Sequence, residues 1–564
     1  MSAGIDPVTL EVLRHAFEGV AEEMGSVLIR GAYSPNITER QDCSTAIFDA
    51  DGRMVAQAEH IPVHLGAMPE AVAAVRARDP KPGDVFVLND PFTGGTHLPD
   101  ITLVSPMALG TSSESDGESG DATPEILGYA VSRAHHADVG GMAPGSMPAG
   151  AREIYQEGLR LPPTRLVAGG ERREDVFDLL FANVRNPVER RADLAAQLAA
   201  NERAERRVAE LIDDHGRELV GRGFNAVIDY SRERMAAAIA ALPDGTYEAE
   251  DALEGDGVTD ADVPIRTTVT VDGESIAVDF AGTADQVDGN CNAPLAVAKS
   301  AVYFVVRCVT DPEIPPNHGC YEPVSIRAPE GSLLNPSPPA AVVGGNVETS
   351  QRVTDVVLAA FATVAPDRVP AGSQGTMNNL TIGSRGGNDS FSYYETIGGG
   401  FGGRPDADGM DGVQVGMTNT LNTPVETLEA AYPLEVERYV FRPGSGGDGR
   451  YRGGLGLERV IRTDIDATVS LLTERRRYAP NGLAGGEPGA TGENLIDGEP
   501  VPAKTTVDVS AGTRVTVRTP GGGGYGDPAD RDPERIRADR ADGKTSDGSG
   551  ERDDESPTDV TGDE

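Results

Sequence analysis

Apolar residues recur at helical spacing from Leu10 through Leu13, Phe17, Val20, Met24, Val27 and Leu28, a stripe that buries one helix face. Asp6-Pro7 stands just ahead of it, offering an N-cap and a first-turn proline, so the pattern predicts a helix of about 20 residues. The period then shortens. Ala46 to Asp49 and Met54 to Ala56 flank Asp51-Gly52, which predicts a hairpin. Further strands are predicted at Asp84 to Leu88, Ile101 to Val104 and Ile126 to Ala130, with a solvated Ser/Asp/Glu/Gly-rich loop from Gly110 to Pro124. Asn186-Pro187 predicts a second cap, and Leu194, Leu198, Ala199 and Val208 continue that helix to about Leu211. Alternation through Ile265, Thr267, Val269 and Val271, then Ile276, Val278 and Phe280 across Asp272-Gly273, predicts another hairpin.

Beyond about residue 330 the chain reads as strands and glycine runs, at Gly398 to Gly403, Gly453-Gly454 and Gly521 to Gly524. The expected fold is therefore α+β. It is a large composite chain with an N-terminal α/β metal-site region at about 1–220, a mixed middle and a strand-rich, Gly-rich remainder at about 245–526. The segment Asp527 to Glu564 holds 14 acids and 6 bases with only Ile536 and Val560 as aliphatics, and is expected to be a disordered acidic tail. No window approaches 18 consecutive apolar residues and no basic-then-apolar leader is present, so neither a membrane span nor a secretory signal is expected. The four cysteines at 43, 291, 308 and 320 contain no C-x-x-C pair, which argues against a disulfide scaffold or zinc ribbon. The expected location is the cytoplasm.

Charge narrows the partners. The 90 acidic residues against 49 basic ones give a net charge of −41, which argues against nucleic-acid binding because phosphate recognition needs a cationic footprint. Self-repulsion on this scale is relieved when salt shortens the Debye length, so the acidity predicts a halophilic protein working in a salty cytoplasm. Lysine occurs only at 81, 299, 504 and 544, none in the Gly-Lys-Ser/Thr setting of a Walker loop, and no G-x-S-x-G elbow is present. The glycine runs read as turns between strands rather than phosphate cradles.

Candidate chemistry lies in histidine placement. Five of eight histidines fall between 60 and 136, including His97-Leu-Pro-Asp100 just before a predicted strand and His135-His-Ala-Asp138 just after one. Imidazole with carboxylate suits a divalent ion such as Zn²⁺ or Mn²⁺, with a position left open for water. Asp42 is a third contributor on the loop after the first helix. The alternative is that His97 and His135 are ordinary polar caps of strands. His60 and His64 are four apart, but Pro62 between them opposes a helical zinc pair, and both read as structural. Cys43 reads as a packed thiol.

Several ordered strings resemble the hydantoinase B/oxoprolinase family. They are Ser34-Pro35-Asn36-Ile37 with Glu39 to Ser44, His64 to Met68, Leu88 to Pro91 running on through Gly94 to Asp100, and Ala134 to Gly141. Asp193 to Gln197, Phe280 to Thr283, Asn346 to Ser350 and Pro520 to Gly526 continue the likeness, which covers about residues 5 to 527. The resemblance implies a metal-dependent subunit of an ATP-dependent cyclic amide hydrolase, opening hydantoin, 5-oxoproline or lactam rings, of the N-methylhydantoinase or 5-oxoprolinase type. It implies a hetero-oligomer with a hydantoinase A-type partner that binds ATP and Mg²⁺, and metal ligands at Asp42, His97, Asp100 and His135. The first histidine of the 135–136 pair is chosen because the family varies at the second. Asp138 and Glu39 are expected to orient a ligand or relay a proton. Two rivals stay open: a subunit of an acetone- or acetophenone-type carboxylase, and a non-catalytic binding or scaffold subunit.

Overall fold

Seven antiparallel strands form the sheet that carries the predicted chemistry. They are β1 (Cys43–Asp49), β2 (Met54–Glu59), β3 (Val85–Leu88), β4 (Asp100–Leu109), β5 (Glu125–His135), β6 (Thr164–Ala168) and β7 (Glu171–Arg172), in the order β2-β1-β5-β4-β3-β6-β7. The computed structural model describes residues 4–109, 125–384 and 390–545. The predicted loop from Gly110 to Pro124 lies outside the described residues. The hairpin around Asp51-Gly52 is as expected, β1 pairing with β2 from Ser44↔Glu59 to Phe48↔Met54.

The first helix, Pro7–Gly31, is capped as predicted, the Asp6 carboxylate accepting from Val8 N and Thr9 N, each at 3.1 Å. Its stripe, Leu13, Phe17, Val20, Met24 and Leu28, is buried against the helices Pro187–His215 and Arg217–Ile239 and one sheet face, with Phe17 and Phe224 rings 4.8 Å apart. Each such side chain contributes about 1.5–3 kcal/mol by leaving water. The second helix starts where predicted, but Asn186 does not cap it. Its backbone is left-handed (φ 54°) and its carboxamide oxygen accepts from Ser390 Oγ at 2.9 Å. That conformation turns the side chain away from the helix's free N–H groups.

The other sheet face faces a second layer, β11-β10-β9-β8, made from β8 (Gly245–Leu253), β9 (Val263–Asp272), β10 (Ser275–Asp279) and β11 (Val324–Arg327). The predicted hairpin is β9–β10, and β10 pairs in parallel with β11. The helices Leu295–Val309 and Ser350–Ala362 share its core, which runs from Ala46 and Phe48 to Met417 and Leu472. One apolar cluster thus crosses the expected boundary between residues 220 and 245.

Two further sheets share a third core. One orders β12 (Asn379–Ser384), β13 (Ser392–Thr396), β16 (Ala467–Leu472) and β19 (Lys504–Val509) as β13-β12-β16-β19. The other orders β14 (Leu434–Phe441), β15 (Leu457–Thr463), β17 (Glu493–Ile496), β18 (Glu499–Pro500) and β20 (Arg514–Arg518) as β14-β15-β20-β17-β18. The glycine runs do more than turn between them. Gly400 N donates to Pro520 O, Gly403 N to Gly523 O, Gly454 N to Phe401 O and Gly522 N to Gly454 O, all at 2.7–3.0 Å. A Cβ on Gly453 would stand 1.9 Å from Gly522 O, so the segments approach as bare backbones.

The acidic tail is also corrected in part. Pro533–Ala541 is helical, and Arg531 reaches Asp408 at 2.7 Å and Asp539 at 2.6 Å while Lys544 Nζ meets Asp411 at 3.0 Å. Net charge hid this, because Arg531, Arg535, Arg537 and Lys544 each find an acid. Residues 546–564 lie outside the described residues.

Candidate metal centre

The candidate residues His97, Asp100 and His135 come together at one end of three adjacent strands. Asp100 opens β4 and His135 closes β5, and the antiparallel register sets them directly opposite. Thr102↔Arg133 repeats the pairing on the same face, Arg133 Nε donating to Thr102 Oγ1 at 2.8 Å. On the far side of β5, β1 begins at Cys43↔Ala134, so Asp42 lies alongside His135, whose backbone N–H donates to Asp42 O at 3.0 Å. Successive residues at a strand end point to opposite faces. His135 therefore faces the cavity, and His136 turns back to donate from Nε2 to Gln197 Oε1 at 2.9 Å.

Asp100 is the hub. Its Oδ1 lies 2.9 Å from His97 Nε2 and 3.3 Å from His135 Nδ1, and its Oδ2 accepts from Thr96 Oγ1 at 2.6 Å. Burial alone would raise its pKa, but the neighbouring His97 charge and hydrogen bonds from His135, His64 and His97 hold it well below the usual carboxylate range. Burial lowers the pKa of His135 against the opposing pull of Asp100. One potential ligand atom from each of His97, Asp100 and His135 falls within 4.8 Å of the others. His97 Nδ1 and His135 Nε2 are buried without a hydrogen-bond partner, an unfavourable state for bare imidazole. Two buried imidazoles gathered on one buried carboxylate, with ring nitrogens left unpaired, are residues suited to a divalent cation.

These residues line a small cavity of about 20 Å³ together with Asp42, His64, Asn346 and Tyr394. Asp42 faces it but stands outside the close three-residue group. Tyr394, from β13, stacks on His135 with ring centroids 4.6 Å apart and donates from its hydroxyl to Asn379 Oδ1 at 2.9 Å. Asn379 Nδ2 in turn donates to Glu348 Oε1 at 2.8 Å. Arg40 braces the roof, donating to Tyr394 O at 2.9 Å and Thr396 Oγ1 at 2.7 Å. The site is thus closed by residues far beyond the expected metal-site region at about 1–220.

The two expected proton-handling residues are not at the cavity. The Asp138 carboxylate is fully occupied in ordering its own loop. It accepts from Gly140 N, Gly145 N and Arg185 N, each at 2.9 Å, and pairs with Arg185 Nη1 at 2.9 Å. Glu39 ends the short helix Pro35–Thr38 and does not line the cavity. Conversely, His64 belongs to it, against the structural role expected from Pro62. Pro62–His64 is a single 3₁₀ turn that the proline begins rather than breaks. The turn puts His64 Nδ1 2.9 Å from Ser44 Oγ and Nε2 3.6 Å from Asp100 Oδ2. The string His64 to Met68 had carried the signal. Asn346 and Glu348 lie on a π-helical turn, Gly345–Thr349, ahead of the helix Ser350–Ala362, a distortion common at functional sites. Cys43 is a packed thiol as expected, fully buried and with its pKa pushed up by that burial.

The hydantoinase B/oxoprolinase profile matches residues 6–528. The chain belongs to the hydantoinase B/oxoprolinase family. Its sequence is 40% identical to 5-oxoprolinase 1 of Arabidopsis thaliana over 92% of this chain and 42% of that one, so it spans about two fifths of that relative's length. Among solved structures, an ATP-dependent caprolactamase from Pseudomonas jessenii is 30% identical with a TM-score of 0.87, covering 97% of this chain and 96% of its own. A nucleotide-free acetone carboxylase matches with a TM-score of 0.84 at 19% identity, covering 96% of this chain and 78% of its own. That likeness establishes the shared fold alone. No described helix is long and apolar enough to cross a membrane.

Proposed function

We propose that this chain is the metal-dependent half of an ATP-dependent cyclic amide hydrolase, completed by a hydantoinase A-type partner that holds the nucleotide. The reading is carried by the buried His97–Asp100–His135 group with its two orphaned ring nitrogens. The caprolactamase likeness favours amide opening over ketone carboxylation, since the carboxylase likeness is one of fold. A scaffold role leaves the unpaired nitrogens without a purpose.

His97, Asp100 and His135 would hold a divalent ion, zinc or manganese, with Asp42 completing the set. Such an ion supplies Lewis acidity and lowers the pKa of coordinated water to about 7. The chain's own residues supply the rest. Thr96 and His64 fix the Asp100 carboxylate, Tyr394 stacks over His135 to hold its plane, and Arg40 keeps the β13 roof seated. A cavity of about 20 Å³ takes an ion or a single water, each needing about 10–15 Å³ of such space, and excludes a lactam ring. Turnover therefore requires the seam between the seven-stranded sheet and the β13 roof to part. The partner phosphorylates the ring carbonyl oxygen with release of ADP. Water then adds to that carbon here, the ring C–N bond breaks, the nitrogen takes up a proton, and a second water hydrolyses the resulting acyl phosphate to inorganic phosphate and the amino carboxylate.

The deciding experiment co-expresses the chain with its hydantoinase A-type partner. It measures ATP-dependent hydrolysis of 5-oxoproline, N-methylhydantoin and caprolactam in concentrated salt, with acetone plus bicarbonate as contrast. Ring opening of at least one amide is expected. Carboxylation of acetone with no amide opened would overturn the reading. We assign the assembly to a salt-rich cytoplasm, consistent with four cysteines that form no disulfide among the described residues and the −41 charge.

A further inference from the structure

A second cavity lies on the other side of the helix Ser350–Ala362 from the metal group. It encloses about 590 Å³ and is lined by that helix, by Leu295–Val309, and by the segments around Arg368, Arg404 and Asn481. A cleft of this size is in the range that takes small-molecule ligands. Its walls include the apolar side chains Phe304, Leu358 and Phe401.

The charges in it are unevenly committed. Arg475 is taken up by Asp251 at 3.0 Å and Asp355 at 2.6 Å, and Arg368 Nη1 donates to Val309 O at 3.0 Å. Arg404 has neither kind of tie. Its Nε is buried without a hydrogen-bond partner, and its guanidinium makes no ion pair among the described residues. Other buried or half-buried arginines without a carboxylate, Arg40 and Arg442 among them, donate to backbone oxygens instead, whereas the Arg404 side chain makes no hydrogen bond among the described residues. Arginine presents a planar fork matched to carboxylate. Asp367 and Asp406 line the same cleft, exposed and without partners of their own.

We propose that this cleft binds a small open-chain carboxylate, held by Arg404 with its apolar body against Phe304, Leu358 and Phe401. An amine at the far end would meet Asp367 or Asp406. That pattern describes an amino acid with a carbon chain between its ends, the chemical class released when a lactam is opened. Only this link to the product rests on the proposed function; the carboxylate site itself does not.

Titration calorimetry on the full chain, folded in concentrated salt, tests the site with 6-aminohexanoate, hexanoate and hexylamine. Saturable 1:1 binding on the order of millimolar or tighter is expected for 6-aminohexanoate, weaker for hexanoate and absent for hexylamine. Arg404→Gln should weaken 6-aminohexanoate at least about tenfold, as loss of a charge-assisted contact does. Leu358→Glu, placing a like charge on the apolar wall, should do the same by a different route. His97→Ala should leave binding unchanged. Absence of saturable binding overturns the proposal, as does binding that survives both cleft variants or disappears with His97→Ala. A complex that opens no amide while 6-aminohexanoate still binds through Arg404 removes the proposed activity and leaves the carboxylate site standing.

Discussion

The metal cavity and the glycine strap solve opposite problems with the same backbone chemistry. In the strap, bare backbones from three distant segments lie against one another and exchange hydrogen bonds, Gly403 N to Gly523 O and Gly454 N to Phe401 O among them. No side chain intervenes and no space is left. In the cavity, polar atoms are brought together and then left unpaired: His97 Nδ1, His135 Nε2 and Asn346 Oδ1 are all buried without partners. Unsatisfied buried groups cost roughly 1–3 kcal/mol each, so the fold tolerates them where a ligand can complete them. The strap is saturated backbone, and the cavity gathers polar atoms that a bound ion or water could complete.

The strongest way to break this contrast is to add one methyl group to the strap. Gly453→Ala would set a Cβ 1.9 Å from Gly522 O, against backbone that cannot turn aside. A loss of about 3 kcal/mol or more is expected, above the usual overpacking range because the obstacle is main chain. Thermal unfolding in concentrated salt should show a large drop in Tm or no folded protein. An unchanged Tm would mean the strap is not the saturated element described.

The reverse change belongs in the cavity. His97→Ala with His135→Ala removes two donors whose free nitrogens have no structural partner. Bound metal should fall to background by elemental mass spectrometry, and turnover of the complex by more than about 100-fold, beyond what loss of an outer-shell partner costs. Tm should fall somewhat below that of the metal-free parent, because the buried Asp100 loses its bonds from both rings. Full activity without metal would remove the site from the mechanism.

The two regions were unequally legible in the sequence. The strap was visible as glycine runs, but glycine shows only where backbone comes close, not to what, so segments from about 50 to 120 residues apart could not be matched. The cavity was visible because its chemistry is local: His97-x-x-Asp100 and His135 sit beside strands whose existence hydrophobic period revealed, and the register of β4 with β5 did the rest. His64 was discounted because Pro62 was judged as a helix breaker, whereas it begins a 3₁₀ turn. Tyr394 carried no local signal, since it reaches His135 from about 260 residues away, and Arg40 lay within the string Glu39 to Ser44 with its role hidden by a contact 354 residues distant. Asp138 looked catalytic by proximity to His135, and its loop's N–H groups claimed it instead.

Tyr394 offers a finer test, because it touches both behaviours: its ring stacks on an orphaned histidine and its hydroxyl is satisfied by Asn379. Tyr394→Phe keeps the stack and removes the hydrogen bond. A loss of about 1 kcal/mol is expected from the bond and the stranded Asn379 oxygen, read by denaturant unfolding. Metal content should be unchanged. Loss of metal in this variant would move Tyr394 from the roof into the ligand set.

Glu157 stands between the two regimes within one side chain. Its Oε1 accepts from Val342 N and Val343 N, both at 2.9 Å, just ahead of the π turn that carries Asn346 to the cavity. Its Oε2 is buried without a partner. Burial outweighs the two N–H donors and pushes its pKa up to about 8, so near neutrality the folded chain holds this carboxyl mostly protonated. A group whose pKa is raised on folding stabilises fully below its unfolded value, near 4.3, and loses that contribution as pH rises through the folded value. The parent should therefore lose stability between about pH 4.3 and 8 from this residue. Glu157→Gln keeps an acceptor for the two N–H groups and cannot ionise, so its contribution is flat with pH. Near pH 4 the two proteins should differ little. As pH rises the variant should become the more stable, and the difference in Tm between them, followed from pH 4 to 9, should widen up to about pH 8 and then level off. A constant difference would show that Oε2 is satisfied after all, and that Glu157 belongs wholly to the saturated part of the molecule.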